Sequence, residues 1–418
     1  MGEVTISFPG TTAGLQGEIK LPASKSISNR VLIIQALCAA DFKIHNLSDA
    51  TDTHVLLDAL KTIKENNTMQ TLDVHDAGTS FRFLTAYLSC QDSEVYLLKG
   101  NSRMHKRPIA DLVNALKQIG ADISFMENEN YPPLLIKGRK LKGGNITING
   151  NVSSQFISAL CLIAPVLEEG LVVEISDELV SHSYIEMTLQ LMSDFGIQYT
   201  FQNNKITIPH QPYTAKDFTI ENDWSSATFF YAMAMLSDAA SFQFDLLNEK
   251  SVQGDSYIKV FAADFGIQTI FENEKIIIKK SNTALNKPEK SYDLNSYPDL
   301  AIPVIVACAV KYPEVTFTGL KHLQYKESDR ITALTTELKK VNIILYYEND
   351  ILSFDNSHYK PSNETIRFNT YNDHRIAMAL SMLALEGFTV VLYDGDCVSK
   401  SYAGYFEELR KVGFVISI

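Results

Sequence analysis

SKSISNRVLIIQALCAA, residues Ser24–Ala40, is a short polar stretch that opens an apolar helix, and the chain repeats that design. The further copies are GTSFRFLTAYLS from Gly78, SSQFISALCLIAPV from Ser153, SSATFFYAMAML from Ser225, PDLAIPVIVACAV from Pro298 and NDHRIAMALSMLAL from Asn372. After the first interval the copies start 72 to 75 residues apart, a near-constant period that signals one structural unit used repeatedly. A second segment recurs with it, an amphipathic helix running into a strand: LVNALKQIGADISF, IEMTLQLMSDFGIQYTF, YIKVFAADFGIQTIF, ITALTTELKKVNIILYY and YFEELRKVGFVISI, with HVLLDALKTI as the sixth member. Gly120, Gly196, Gly266 and Gly413 stand where such helices end. KITIPH and KIIIKK alternate as strands do.

The pattern predicts six copies of one α/β unit. The first helix of each copy carries almost no charge and is expected to be buried all round, while the second is amphipathic and covers it. The chain has 418 residues, 45% of them hydrophobic, which is too long for one ordinary core and enough for two. Three copies per domain follow, with a boundary near Ile220 to Asp223. A solenoid is the competing architecture, but a 70-residue period is long for one and capping repeats are not evident.

Composition narrows the function. Charged residues make up 21%, which excludes a disordered chain, and the net charge of −12 with no Lys/Arg-rich run argues against nucleic acid or an anionic membrane surface as partner. The apolar runs are too short to span a bilayer, and the N-terminus lacks the pattern of a signal peptide. Five cysteines without C-x-x-C spacing argue against a disulfide framework or a zinc site; Cys38, Cys161 and Cys308 read as reduced core residues of a cytoplasmic protein.

The chemistry is expected at the helix starts. Lys25, Ser26 and Arg30, then Asp76, Gly78 and Arg82, then Ser153, Ser154 and Gln155, then Asp299, and finally Asp373, His374 and Arg375 all cluster there. Capping accounts for the Ser and Asp residues, and for Ser225 and Ser226, which have no basic neighbour. It does not account for Lys25, Arg30, Arg82 or Arg375, because a cation near a helix N-terminus opposes the macrodipole by a few tenths of a kcal/mol up to about 1 kcal/mol. A bound anion reverses that balance, since free N–H groups and the basic side chain then act together. RMHKRP (Arg103–Pro108) places basic residues before a helix, with Pro108 in its first turn. YKESDR (Tyr325–Arg330) places Lys326 and Arg330 on one helix face, and its bland alternative is a solvated ion-pair cluster. Lys400 precedes the last amphipathic helix.

LPASKSISNR, DAGTSFRFL, MHKRPIADLVNAL, VSSQFISAL, SYIEMTL, SYPDLAIP, YKESDRITALTTEL, YNDHRIAMAL and CVSKSYAGYFEEL occur in this order from end to end. Together they resemble the enolpyruvyl transferases, and among them the 3-phosphoshikimate 1-carboxyvinyltransferase (EPSP synthase) family. The resemblance implies a two-domain, inside-out α/β (α+β) barrel of six βαβαββ units. Domain one would comprise 1–20 plus 223–418, domain two 21–222, and the active site would lie in the cleft between them. It implies transfer of the enolpyruvyl group of phosphoenolpyruvate to the 5-hydroxyl of shikimate 3-phosphate, releasing phosphate, in aromatic amino acid biosynthesis. Shikimate 3-phosphate is assigned to Lys25, Ser26, Arg30, Ser153, Ser154, Gln155, Ser181, Tyr184, Asp299 and Lys326. Phosphoenolpyruvate is assigned to Lys25, Gly78, Arg107, Gln155, Arg330, Arg375 and Lys400. Asp299, Glu327 and Lys25 are the implied catalytic groups, with no metal or organic cofactor, in a cytoplasmic monomer. Three positions depart from the family's usual pattern: Asp76 and His322 for Asn, and Phe83 for Pro. The sister enzyme that acts on a UDP-sugar is the nearest rival, but it uses a loop cysteine, and Cys90 lacks the Gly-rich context. A non-catalytic anion carrier is the other rival, disfavoured because Asp299 and Glu327 are not needed to bind an anion.

Overall fold

The computed structural model describes residues 2–10, 14–65, 69–151, 153–272, 275–280 and 288–418. The chain divides into unit 1, Met1–Pro22 with Glu221–Ile418, and unit 2, Ala23–Ile220. Unit 2 holds helices α1 (Lys25–Leu37), α2 (Thr51–Glu65), α3 (Gly78–Ser89), α4 (Ala110–Gln118), α5 (Ser154–Ile163) and α6 (His182–Asp194). Unit 1 holds α7 (Trp224–Leu236), α8 (Ile258–Ala263), α9 (Ala301–Lys311), α10 (Arg330–Leu338), α11 (His374–Ser381) and α12 (Tyr405–Lys411).

The odd-numbered helices are the apolar ones, and their burial follows from it. Every residue of α7 and α11 is buried, as is all of α9 except Lys311. In unit 2, α1, α3 and α5 pack on one another; in unit 1, α9 packs against α7 and α11. Each large apolar side chain removed from water contributes about 1.5–3 kcal/mol, so Trp224, Phe229, Phe230 and Tyr231, all in α7, anchor the core of unit 1. The glycines that follow α4, α6, α8 and α12 all take positive φ, as their sequences require. Gly196 sits at φ +88, its N–H bonded to the Ser193 carbonyl, while the Ile197 N–H reaches the Met192 carbonyl. The fifth copy has no glycine there and uses Asn342 at φ 63, the next best residue for a left-handed cap.

The strands repeat as well. Gln70–Asp73 runs parallel to Val95–Lys99 across α3, and the hairpin Asp122–Phe125/Leu134–Lys137 adds its second strand antiparallel to Val95–Lys99. Gly144–Asn149 begins a second sheet of this order, and Ser291–Asp293 a third. The first copy is abbreviated. Only 54 residues separate Ser24 from Gly78, and among the described residues Ile44–His45 pairs only with Phe218–Thr219, in a two-stranded sheet. Two strands are exchanged in sequence order. Leu15–Glu18, which precedes α1, pairs in unit 1 with Ala240–Asp245; Phe218–Thr219, which precedes α7, pairs in unit 2. The last copy lacks a closing strand of its own, and Val4–Ser7 fills the place, antiparallel to both Thr389–Tyr393 and Val415–Ser417.

Four local expectations are corrected. Pro108 lies before the cap residue Ile109, outside α4. Lys326 and Glu327 precede α10, which starts at Arg330 after its cap Asp329, so helical spacing does not relate them to Arg330. Ser225 and Ser226 are not caps: Asp223 caps α7, and the two hydroxyls donate to Asp255 and Asp223. Cys161 and Cys308 are core residues, but Cys38 ends α1 half-buried. Among the described residues no helix is long and apolar enough to cross a membrane.

Candidate functional site

In unit 2 the basic residues gather at the starts of α1 and α3. Ser24 caps α1, its hydroxyl accepting from the Ile27 N–H at 3.4 Å. Lys25 follows and pairs with Asp52 at 3.4 Å. Arg30, one turn further, is buried under the ring of Phe83, 5.4 Å from its centroid. Its guanidinium donates to Thr188 Oγ1 at 2.7 Å, the Ser26 carbonyl at 2.9 Å, and Ser158 Oγ and the Tyr184 carbonyl at 3.2 Å each. Arg30 thereby ties α1 to α5 and α6, and burial lowers its pKa to about 10. Phe83 supplies that cation–π face.

The start of α3 is different: its cap residue Ala77 offers no side-chain hydrogen bond. A Cβ at Gly78 would lie 2.5 Å from Arg107 Nη1 and 2.7 Å from Arg82 Nη1, so two guanidiniums crowd the helix start. Arg82 donates to Gln155 Oε1 at 2.9 Å and lies over Phe156. Burial, and then the charge of Arg107, hold it well below the usual arginine range. Two like charges beside an uncapped helix N-terminus are relieved by an anion. Ser153 caps α5 by accepting from the Gln155 N–H, and Ser154 is buried behind it. Ser181 begins α6 in the left-handed region, φ 53, with its buried hydroxyl unpartnered among the described residues. Asp76 stands 4.0 Å from Arg103.

Unit 1 gathers acids and arginines. Asp373 caps α11, Oδ1 accepting from the Arg375 N–H at 3.0 Å. Arg330 Nε donates to Asp373 Oδ2 at 2.9 Å, and Arg330 Nη1 to Asp299 Oδ1 at 3.2 Å. Arg375 Nε meets the same Asp299 oxygen at 2.8 Å. Asp299 is therefore held between two arginines, just ahead of α9. Burial alone would lower the pKa of Arg330, but Asp373 and then Asp299 more than offset it and hold it above the usual value. Burial works against ionised Asp373 too, and Arg330 overcomes it. Glu327 Oε2 lies 3.2 Å from His374 Nδ1, and Lys400 Nζ donates to the Asn372 carbonyl at 3.2 Å. His322 is buried, and burial, then Lys326 and Arg330, lower its pKa to about 2, so its ring stays neutral.

Glu327, Asp373 and His374 offer ligand atoms within 4.8 Å of one another. Asp373, however, already accepts from Arg330, Ser328 and the Arg375 N–H, and a cation there would face two guanidiniums. The donor set suits proton transfer better than metal binding. Cys90 ends α3 with its thiol on the Ala86 carbonyl, and burial pushes it up to about 12, far from a reactive thiolate.

Within unit 2 the structure brings Gly78, Arg82, Arg107 and Gln155 together, and Arg30 with Tyr184; within unit 1 it brings Asp299, Arg330 and Arg375 together, with Glu327 on His374. Sequence reasoning passed over Asp52, the partner of Lys25, and Asp255, which faces Ser225. Neither carries a signal beyond being an acid in a polar segment.

The sequence profile of the EPSP synthase (3-phosphoshikimate 1-carboxyvinyltransferase) family matches residues 10–72 and 65–409. The 3-phosphoshikimate 1-carboxyvinyltransferase of Bacteroides fragilis (strain YCH46) is 44% identical over 406 residues, 97% of each chain. That of Aliivibrio fischeri (strain MJ11) is 34% identical over 422 aligned positions, covering 95% of this chain and 97% of its own. Among solved structures, the EPSP synthase from Acinetobacter baumannii matches the whole of both chains with a TM-score of 0.79 at 21% identity. The enolpyruvyl transferase NikO from Streptomyces tendae matches with a TM-score of 0.72 at 14% identity, covering 100% of this chain and 99% of its own. At those identities the structural likeness bears on the fold alone.

Proposed function

We propose that this chain, which belongs to the EPSP synthase (3-phosphoshikimate 1-carboxyvinyltransferase) family, performs the family's reaction with the basic helix starts of unit 2 and the acid–arginine network of unit 1. The reaction moves the enolpyruvyl group of phosphoenolpyruvate to shikimate 3-phosphate. The observation that carries this assignment of roles is Asp299, held between Arg330 and Arg375.

Both substrates are anions with carboxylate and phosphate groups, which guanidinium binds bidentately without losing its charge. Arg107, Arg330, Arg375 and Lys400 bind phosphoenolpyruvate, with Gly78 leaving room for it beside Arg107. Ser26, Arg30, Ser153, Ser154, Gln155, Ser181, Tyr184 and Lys326 serve shikimate 3-phosphate, Arg30 by holding Ser26 and Tyr184 in place. Lys25 acts on both. Glu327, oriented by His374, gives a proton to the methylene carbon of phosphoenolpyruvate, which makes C2 electrophilic. Asp299 takes the proton of the attacking 5-hydroxyl. The tetrahedral adduct then returns a methyl proton to the ionised Glu327 as phosphate leaves, which regenerates the vinyl group and the protonated Glu327. Lys25 stabilises the negative charge that develops. The enzyme works as a cytoplasmic monomer, which sedimentation of the purified protein tests.

Phosphate release from purified protein with phosphoenolpyruvate, with and without shikimate 3-phosphate, tests the reading. Release that needs both substrates, and is lost when a UDP-sugar replaces the shikimate, supports it. Tight binding of shikimate 3-phosphate without release would leave a binding protein instead.

A further inference from the structure

Glu337 is a buried carboxylate in the last turn of α10. Lys340 pairs with its Oε2 at 2.6 Å. The same oxygen accepts from the Asn369 N–H at 3.0 Å, at the end of strand Thr365–Asn369, and Oε1 accepts from the Tyr371 hydroxyl at 2.8 Å. The carboxylate therefore grips the chain on both sides of Thr370, in the turn that leads to Asp373, the cap of α11. Thr370 closes that turn. Its carbonyl accepts from the Asp373 N–H at 2.9 Å, and its Oγ1 accepts from the Asn372 N–H at 3.2 Å and donates to the Tyr393 carbonyl at 2.8 Å.

Tyr371 and Asn372 both lie in the left-handed region, at φ 55 and φ 54. Asparagine enters that region readily, but a bulky residue does so rarely and stays only where its surroundings fix it. Tyr371 is 37% exposed, so close packing does not fix it; its hydroxyl, anchored on Glu337, does. The turn acts one residue further on, where the Asn372 carbonyl accepts from Lys400 Nζ at 3.2 Å.

We propose that Tyr371 and Glu337 are positioning residues for Lys400: the Glu337–Tyr371 hydrogen bond holds the left-handed turn, and the turn holds the carbonyl that steers the Lys400 ammonium. This rests on the reading of Lys400 as a phosphoenolpyruvate ligand. Without the bond, Tyr371 relaxes towards negative φ and carries the Asn372 carbonyl with it, and Lys400 loses a fixed partner.

The test is steady-state phosphate release by the full chain. Tyr371→Phe keeps the ring and removes only the hydroxyl. The KM for phosphoenolpyruvate should rise about threefold to tenfold, the range for one hydrogen bond, while the KM for shikimate 3-phosphate stays near native. Tyr371→Asn also lacks the hydroxyl but suits the left-handed region, so its KM should lie between the native value and that of Tyr371→Phe. A KM for Tyr371→Asn above that of Tyr371→Phe would show that handedness is not what Tyr371 supplies, and overturns the proposal. Glu337→Gln should raise the same KM; if it does not fold, Tyr371→Phe decides. A merely structural role predicts a lower urea midpoint with native KM values, and that result overturns the proposal as well. Lys400→Ala separates the two readings. An unchanged KM for phosphoenolpyruvate in Lys400→Ala removes Lys400 from that site, and this inference with it. A raised KM there, with a native KM in Tyr371→Phe, removes the Tyr371–Glu337 role alone. With Lys400 gone, Tyr371→Phe should add little further effect, and full additivity of the two substitutions would show that Tyr371 does not act through Lys400.

Discussion

Gly78→Ala should separate substrate binding from stability. Gly78 is the first residue of α3, and a Cβ there would lie 2.5 Å from Arg107 Nη1, 2.7 Å from Arg82 Nη1 and 3.0 Å from Arg107 Cζ. Ordinary van der Waals contact begins near 3.4 Å, so the two guanidiniums must retreat by about 1 Å. Both are the far ends of flexible side chains, so the backbone has no need to move. The fold gains about 0.5–1 kcal/mol from alanine in place of glycine in a helix. Weakening the 2.9 Å Arg82–Gln155 hydrogen bond gives back about as much. Stability should therefore stay within about 1 kcal/mol of the native value in urea denaturation. A displacement of about 1 Å in a binding guanidinium costs up to 10²-fold, so the KM for phosphoenolpyruvate should rise about 10- to 100-fold in steady-state phosphate release at saturating shikimate 3-phosphate. The KM for shikimate 3-phosphate should change little. A native KM for phosphoenolpyruvate in the folded variant would refute the placement of Gly78 and Arg107. A stability loss above about 2 kcal/mol would show that the Cβ strikes packed structure and not mobile side-chain ends.

Asp299→Asn and Glu327→Gln should each lower kcat by about 10² to 10⁴-fold, and a near-native kcat in either would remove that residue's proton-transfer role. Asp373→Asn leaves Arg330 buried with half its charge partners and should cost about 3–5 kcal/mol in urea denaturation; a loss below about 1 kcal/mol would mean that Asp299 alone holds the guanidinium. His322 stays neutral in the native state to about pH 2, whereas the unfolded chain protonates it near its ordinary value of about 6.5. The unfolded state then binds the extra proton, so stability falls as pH drops below about 6.5, by up to about 1.4 kcal/mol per pH unit from this residue. His322→Asn should flatten denaturation midpoints between about pH 6.5 and 4, and an unchanged slope would show that the ring is protonated in the native protein.

The periodic features were legible without coordinates. Buried helices are written as uncharged apolar runs, because an unpaired charge cannot be left inside a core. Helix ends are written as glycine at a left-handed position, and α3 and α11 begin where their polar residues cluster. The proposed anion-binding role of Lys25, Arg82 and Arg375 starts from the same local reasoning, since a cation at a helix start runs against the helix dipole. Asn342, doing a glycine's work in the fifth copy, was not marked by any rule applied to the glycines.

What the sequence determined by itself is whatever depends on neighbours within a turn or two: which helices are buried, where a glycine ends them, and the repeat that makes the copies alike. Only the tertiary structure decided what depends on partners far along the chain. It placed Leu15–Glu18 and Phe218–Thr219 in sheets away from the helices they precede, and closed the last copy with Val4–Ser7 from the opposite end. It set Asp299 between Arg330 and Arg375, and put Asp255 against Ser225 thirty residues away. Strand pairing and charge pairing are satisfied by any donor or acceptor of the right kind that the fold brings within reach, so sequence order cannot name the partner.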